Sequence, residues 1–322
     1  MYVELTNKCN LRCEHCFKNA TNNQGIFLSE EQFKYIVNVL NTNIYEIQLT
    51  GGEPLIHPNI NKFLELSVDK FYISVTTNGV YLNKVREDLL KKIGFVQVSM
   101  YGTTVDEYKF MTGSSNAFYG FQDGLRKLYK YNIDSLVTVV LNQDNINNME
   151  RYVSKAYELG ATKIKFGLPA PLGRAIDDNN KREKWNLNDE NEKFVYNELM
   201  NLNEKYKNKI KVIIWEDFNV EFRDPNKEAI LSENYKDCLG CGGGWLSLNV
   251  SEYGRITPCQ IVSPKYFDMG SLDKLEDIVN GKYKTDWFKR AYEYNKYLTN
   301  NNIKSKKVCT ALEKLIKNKS II

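Results

Sequence analysis

The chemistry of this sequence is densest in its first sixteen residues, Met1-Tyr-Val-Glu-Leu-Thr-Asn-Lys-Cys9-Asn-Leu-Arg-Cys13-Glu-His-Cys16. A short apolar stretch, expected as a strand, runs straight into three cysteines spaced C-x3-C-x2-C, a segment too tight to serve a packed core. Three thiolates on one short loop can hold three corners of a cubane iron–sulfur cluster. The usual [4Fe–4S] site takes four cysteines, so this loop would leave one iron open to a ligand from outside the protein. Zinc and a disulfide are the alternatives. Structural zinc normally takes paired knuckles that make four ligands, and disulfides are disfavoured in a chain without a secretory signal. The spacing favours the cluster.

The chain has seven cysteines, an odd number for a disulfide framework. They divide as three plus four, the second set being Cys238, Cys241, Cys259 and Cys309. Around that set, Leu246–Val250, a turn at Ser251–Gly254 and Arg255–Cys259 read as a β-hairpin. A hairpin brings its two ends together, so Cys238, Cys241 and Cys259 can meet at one site. Cys309 lies far downstream on an expected helix. Zinc remains an alternative for this second site.

Other polar groups sit where strands are expected to end: Gly51-Gly52-Glu53-Pro54, Thr76-Thr77-Asn78-Gly79, Ser99-Met100-Tyr101-Gly102, Asn142 and Gly173-Arg174. The strands that place them are expected at Tyr2–Thr6, Tyr45–Thr50, Tyr72–Thr76, Phe95–Ser99, Leu136–Leu141 and Lys163–Gly167. Amphipathic helices are expected between them, at Ser29–Leu40, Ile60–Val68, Val85–Ile93, Phe118–Tyr131 and Asn148–Leu159. Ser29 with two following glutamates makes a helix start. Six βα units imply right-handed crossovers and a parallel sheet. Periodicity alone fits either an open doubly wound sheet or a partial barrel, and functional groups at the C-terminal strand ends are how barrel enzymes arrange theirs. Further on, Asp189–Tyr206 reads as a charged helix and Lys211–Trp215 as an apolar strand.

At 322 residues, with 42% apolar and 26% charged residues, the composition is that of an ordinary globular chain with room for a core and an appended module. A net charge of +4 gives no nucleic-acid footprint. The longest apolar runs, such as Leu136–Leu141, fall far short of a membrane span, so a cytoplasmic protein is expected. His15 and His57 are the only histidines; His57 is expected as a turn residue, and no Ser/His/Asp arrangement can be assembled. No catalytic acid, base or nucleophile is assigned.

Taken together, the cysteine loop and the Thr50-Gly51-Gly52-Glu53-Pro54 run resemble the radical S-adenosylmethionine (SAM) superfamily. The resemblance implies that the open iron is chelated by the amino and carboxylate groups of SAM, whose reductive cleavage yields a hydrogen-abstracting 5′-deoxyadenosyl radical. It also decides for a partial (β/α)6 barrel. By resemblance, Gly51, Gly52 and Glu53 bind the SAM amino group. Asn78 and Ser99 contact its ribose and methionyl carboxylate, Arg174 pairs with the carboxylate, and Asn142 is a weaker candidate of the same kind. His15 fills the slot of an aromatic that packs on the adenine. Relatives often carry an acidic residue where Tyr101 stands, which leaves that position without a role.

The second cysteine set, with Gly254-x4-Cys259 and Met269-Gly-Ser-Leu-Asp-Lys-Leu-Glu-Asp-Ile, resembles the C-terminal SPASM/twitch extension of radical SAM peptide-modifying enzymes. The resemblance implies one auxiliary [4Fe–4S] cluster on Cys238, Cys241, Cys259 and Cys309, and two clusters in total, because the knuckle for a further one is absent. The expected organisation is a barrel over 1–185, a bridging helix, strand and linker over 186–235, and the auxiliary-cluster domain over 236–322. The implied activity is oxidative modification of a ribosomally synthesised peptide, forming a thioether or C–C crosslink. Peptide epimerisation, sulfatase-maturase-like oxidation, action on a sugar or nucleotide, and non-catalytic electron transfer are the alternatives. Because the cluster loop begins at residue 9, the peptide is expected to be recognised by the barrel mouth, the extension or a separate leader-binding protein; an electron donor such as flavodoxin or ferredoxin is the other expected partner.

Overall fold

The computed structural model describes residues 1–40, 44, 46–170, 172–175, 183–214, 247–262, 264 and 267–280. Strands and helices alternate: β1 (Tyr2–Glu4), α1 (Glu30–Val39), β2 (Glu46–Thr50), α2 (Ile60–Ser67), β3 (Tyr72–Thr77), α3 (Glu87–Leu90) and β4 (Phe95–Ser99). Then come α4 (Val105–Thr112), α5 (Asn116–Lys130), β5 (Ser135–Val140), α6 (Met149–Glu158), β6 (Lys163–Gly167), α7 (Asp189–Tyr206) and β7 (Lys211–Ile214). Short strands β8 (Asn249–Val250), β9 (Arg255–Thr257) and β10 (Gly270–Ser271) precede α8 (Leu275–Asn280).

All these strands form one sheet in the order β10-β9-β8-β1-β2-β3-β4-β5-β6-β7. Strands β1 to β7 are parallel to their neighbours, as the alternating pattern requires. The part of residues 186–235 that is described, expected as a bridge, continues this sheet: β7 pairs with β6 from Lys163↔Lys211 to Phe166↔Ile214. At the other side β8 pairs parallel to β1, and the expected hairpin is present as antiparallel β8 and β9. Among the described residues the outer strands β7 and β10 do not pair with each other, so the sheet they bound is a barrel left open, with the C-terminal segment joined to its first strand.

Helix starts follow local chemistry. Ser29 Oγ accepts from Gln32 N–H at 3.1 Å while Gln32 Oε1 accepts from Ser29 N–H at 2.9 Å, which satisfies two end groups of α1. The same box, Thr104 with Glu107, starts α4, a helix that the periodicity did not reveal. The apolar stripes of the helices, including Phe33, Ile36, Phe63, Leu64, Phe121, Leu125 and Val153, are buried against one face of the sheet. Each such side chain contributes about 1.5–3 kcal/mol when fully buried.

The strands alternate by face. Val3, Ile47, Leu49, Ile73, Val75, Val96, Val98, Val137, Ile164 and Phe166 are all at most 1% exposed and face the helices. The opposite face carries Glu4, Gln48, Thr50, Ser74, Thr76, Gln97, Ser99, Thr138 and Lys165, which the registers place in rows across the sheet. Parallel strands buried on both faces read as continuous apolar runs. Here one face is polar, so the inside of the open barrel is a lining rather than a core.

Candidate active site

The cysteine loop hangs between β1 and α1 and is fixed from several sides. Cys9 N–H donates to Thr21 O at 2.8 Å, and Arg12 and Glu14 N–H donate to the last carbonyls of α4, Thr112 and Met111, both at 3.0 Å. Those carbonyls are the acceptors a helix end leaves unsatisfied, so α4 acts as a platform for the loop. Arg174 reaches over from beyond β6: its Nε donates to Cys13 O and its Nη1 to Ala20 O, each at 2.8 Å. Its own N–H donates to Cys16 O at 3.1 Å. A Cβ on the preceding Gly173, at φ +61°, would lie 2.3 Å from Cys16 O.

Gly51 and Gly52 complete the clamp. Gly52 N–H donates to Thr6 O and Glu53 N–H to Lys8 O, at 2.6 and 2.9 Å. A Cβ on Gly51 (φ +137°) or Gly52 would stand 2.4 or 2.3 Å from the backbone oxygens of Thr6 and Lys8. The glycines are therefore set by the close passage of two backbones, the β2 turn and the entry to the cysteine loop.

Cys9, Cys13 and Cys16 are unbridged thiols, the first two buried. All three line a cleft of about 300 Å³ whose walls include Gly51, Gly52, Thr76, Asn78, Gln97, Ser99, Tyr101, Thr138, Lys165 and Arg174. Burial pushes the Cys13 thiol up to about 12 and raises Cys9 as well. Three thiols on one loop, all lining one cleft, suit an inorganic group with several metal corners.

Of the other expected site residues, Asn78 and Ser99 line the cleft, and Asn78 Nδ2 donates to Asn10 Oδ1 at 2.8 Å. His15 also lines it, its ring 5.1 Å from that of Trp185 and 5.8 Å from Tyr101, with a buried Nδ1 that has no partner. Burial and then the Arg174 and Lys184 charges push His15 down to about 4, so the ring is neutral near pH 7. Asn142 instead borders a smaller neighbouring pocket of about 270 Å³ that shares His15 and Tyr101 with the cleft. Its Oδ1 accepts from Asp144 and Asn145 N–H at 2.8 and 3.1 Å, which makes it a turn former.

Glu53 is turned inward and fully buried. Its Oε1 accepts from Leu55 N–H at 3.0 Å and Thr77 Oγ1–H at 2.7 Å, and its Oε2 from Asn78 N–H at 2.8 Å. Burial still outweighs these donors and pushes the carboxyl up to about 7. In this structure its side chain ties β3 to the β2 turn, while Thr50, Gly51 and Gly52 before it line the cleft wall. His57 is a turn residue, as expected: Nδ1 accepts from Asn59 N–H and Nε2 lies against Leu28 O, both at 3.0 Å.

Cys259 follows β9, while Cys238, Cys241 and Cys309 lie outside the described residues. Sequence reasoning missed Trp185, which packs on His15, and the wall residues Gln97, Thr138 and Lys165. The signal for the wall was present as polar residues at every second strand position.

Residues 3–156 match the Radical SAM superfamily. That stretch is just under half of the chain. The match implies a [4Fe–4S] cluster and SAM, and the donor set fits: three soft thiols with a polar cleft beside them. The chain is 27% identical over 285 residues to the antilisterial bacteriocin subtilosin biosynthesis protein AlbA of Bacillus subtilis, covering 86% of this chain and 58% of AlbA. It is 24% identical over 262 residues to the sporulation killing factor maturation protein SkfB of the same organism, covering 80% of this chain and 59% of SkfB. The chain thus spans less than two thirds of either relative. In fold it is similar to Streptococcus suis SuiB: TM-score 0.66 at 12% identity for SuiB bound to S-adenosylmethionine, over 88% of this chain and 66% of SuiB. For SuiB bound to precursor peptide SuiA the TM-score is 0.68 at 10% identity, over 89% of this chain and 65% of SuiB. Among the described residues no helix is long and apolar enough to cross a membrane.

Proposed function

We propose that this protein is a radical SAM enzyme that oxidatively modifies a ribosomally made peptide, forming a thioether or C–C crosslink. The observation that supports it best is the set of three cysteine thiols in a cleft that opens along a polar barrel wall, with a wider cavity of about 850 Å³ beside it. Cys9, Cys13 and Cys16 would hold three irons of a cluster and leave the fourth to SAM. Bound there, cluster and SAM would supply a 5′-deoxyadenosyl radical able to take a hydrogen atom from carbon.

The protein's own part is position and exclusion. Arg174 and α4 hold the loop, Gly51 and Gly52 let the rim come close, and Asn78 and Ser99 offer hydrogen bonds to the sugar and carboxylate of SAM. The neutral His15 ring, braced by Trp185, offers a flat wall for the adenine. Arg174 spends two donors on the loop, so any contact with the SAM carboxylate comes from the rest of its guanidinium. Closing a crosslink removes two hydrogens from the peptide, one as an atom and one as a proton with an electron. An auxiliary [4Fe–4S] cluster on Cys238, Cys241, Cys259 and Cys309, in a SPASM/twitch extension, is proposed as the acceptor of that electron. A flavodoxin or ferredoxin is proposed as the donor for SAM cleavage.

AlbA and SkfB, named for bacteriocin biosynthesis and killing-factor maturation, and SuiB with its precursor peptide favour a peptide over a sugar or nucleotide. The test is anaerobic incubation of reconstituted protein with SAM, a reductant and a candidate precursor peptide. Formation of 5′-deoxyadenosine with a peptide lighter by two hydrogens is expected. A product of unchanged mass that carries solvent deuterium would mean epimerisation, and no SAM cleavage at all would leave only electron transfer.

A further inference from the structure

The cavity of about 850 Å³ lies beyond the cysteine loop, between the end of β1 and the β8–β9 hairpin. It shares Phe17, Lys18, Gly51, Gly52, Gln260 and Ile261 with the cleft that holds the three cysteines, so the two spaces are continuous. Its size falls within the range of ligand pockets, about 300–1,000 Å³.

The lining of this cavity follows from strand pairing. The parallel register Tyr2↔Asn249 and Val3↔Val250 turns Val3 and Val250 to the apolar side, both 0% exposed. Glu4 and Asn249 therefore share the opposite, polar face with Thr257, to whose Oγ1 the Asn249 Nδ2 donates at 3.1 Å. Glu252, at the hairpin turn, hydrogen-bonds the Glu4 carboxylate, and Lys18 reaches back from the cysteine loop to Glu4 Oε1 at 2.5 Å. Glu4 and Glu252 are both buried.

Two features of this group are incomplete without a ligand. Two carboxyl groups face one ammonium group, so a proton held between Glu252 and Glu4 is what balances the second of them, and an arriving cation would take its place; among the described residues the nearby Arg255 is paired with Asp268. Independently, Asn249 lines the cavity at 2% exposure, and its Oδ1 is a buried acceptor with no hydrogen-bond partner among the described residues. Acceptors in excess of donors, beside a cavity, call for a donor-rich cation.

We propose that Glu252, Glu4 and Asn249 form a subsite for a cationic side chain, a guanidinium or ammonium, of the peptide substrate, held one cavity away from the reacting residue. The subsite rests on the proposed peptide-modifying function and adds a charge requirement to it. Lys18, shared by cavity and cleft, separates the bound cation from the cluster loop and holds the Glu4 carboxylate in place.

The test is equilibrium binding to the whole reconstituted chain, followed by ligand-observed NMR. The probes are an acetylated, amidated pentapeptide with one central arginine and its isosteric citrulline counterpart. Loss of the charge-assisted hydrogen bonds should weaken the citrulline peptide by about tenfold. Glu252→Gln should erase that difference by weakening the arginine peptide alone. Equal binding of the two peptides to the unaltered protein, or a full arginine preference retained in Glu252→Gln, would overturn the subsite. SAM cleavage by the unaltered protein is measured in parallel. Its absence would count against the radical SAM enzyme reading, while cleavage without charge preference would count against the subsite alone.

Discussion

The Oγ1–H of Thr77, at the end of β3, donates to the Glu53 carboxylate in the β2 turn at 2.7 Å, inside a shell where both groups are buried. With Leu55 and Asn78 N–H on the same carboxylate, Glu53 takes three donors that water cannot reach. Exchanging it for glutamine puts an N–H2 where an acceptor is required and leaves a buried donor without a partner. We expect Glu53→Gln to destabilise the metal-free protein by about 1–3 kcal/mol. A melting point lower by several degrees, with or without SAM, checks this; an unchanged melting point would mean the brace contributes nothing.

Arg174 holds the cysteine loop through Cys13 O and Ala20 O. Arg174→Ala removes both donors and should let the loop open, so that iron is lost faster to a chelator at unchanged initial content. Arg174→Lys should rescue little, because a single ammonium cannot span two carbonyls as a planar fork does. Chelator-chase absorbance at fixed temperature reads this out, and equal iron loss in all three proteins would refute it.

The strand positions were legible in the sequence because parallel strands and amphipathic helices have local periods, and the cysteine loop was legible because its ligands are neighbours in the chain. Glu53 shows where that ends. Its sequence context offers an acceptor for an ammonium group, and the partners it has in the fold, Thr77 and Asn78, arrive from the next strand, which no local pattern reports. The helix α4 was missed because only Tyr108, Met111 and Thr112 are buried along it, too few for a strong stripe, although the Thr104–Glu107 box marked its start. Pairing of β8 with β1 depends on contact between residues 2 and 249 and was equally invisible.

Glu252 supplies a pH dependence. Burial, and then the Glu4 charge, push its carboxyl up to about 7 from 4.5, while Lys18 opposes the shift. The folded protein therefore holds a proton over that interval that the unfolded chain has released. Its contribution to stability is complete below pH about 4.5 and is lost as pH rises through about 7. Melting points of the metal-free protein should fall between these values, and Glu252→Gln, which cannot ionise, should flatten that part of the profile. Parallel profiles for the two proteins would show that Glu252 does not titrate there.

The metal content separates the two cysteine sets. A cubane on Cys9, Cys13 and Cys16 and another on Cys238, Cys241, Cys259 and Cys309 should bring anaerobically reconstituted protein to about eight irons per chain. Replacing Cys9, Cys13 and Cys16 together by alanine should leave about four and abolish SAM cleavage, because the cluster proposed to bind SAM would sit on the first set. The loop should tolerate the change, since its backbone is held at several points by Arg174, Thr21 and the end of α4, to which the thiols add the Leu11 N–H bond to Cys9 Sγ. Zinc at the second site, or full iron retention in the triple variant, would refute the division of the cysteines, and circular dichroism of that variant distinguishes loss of the cluster from loss of the fold.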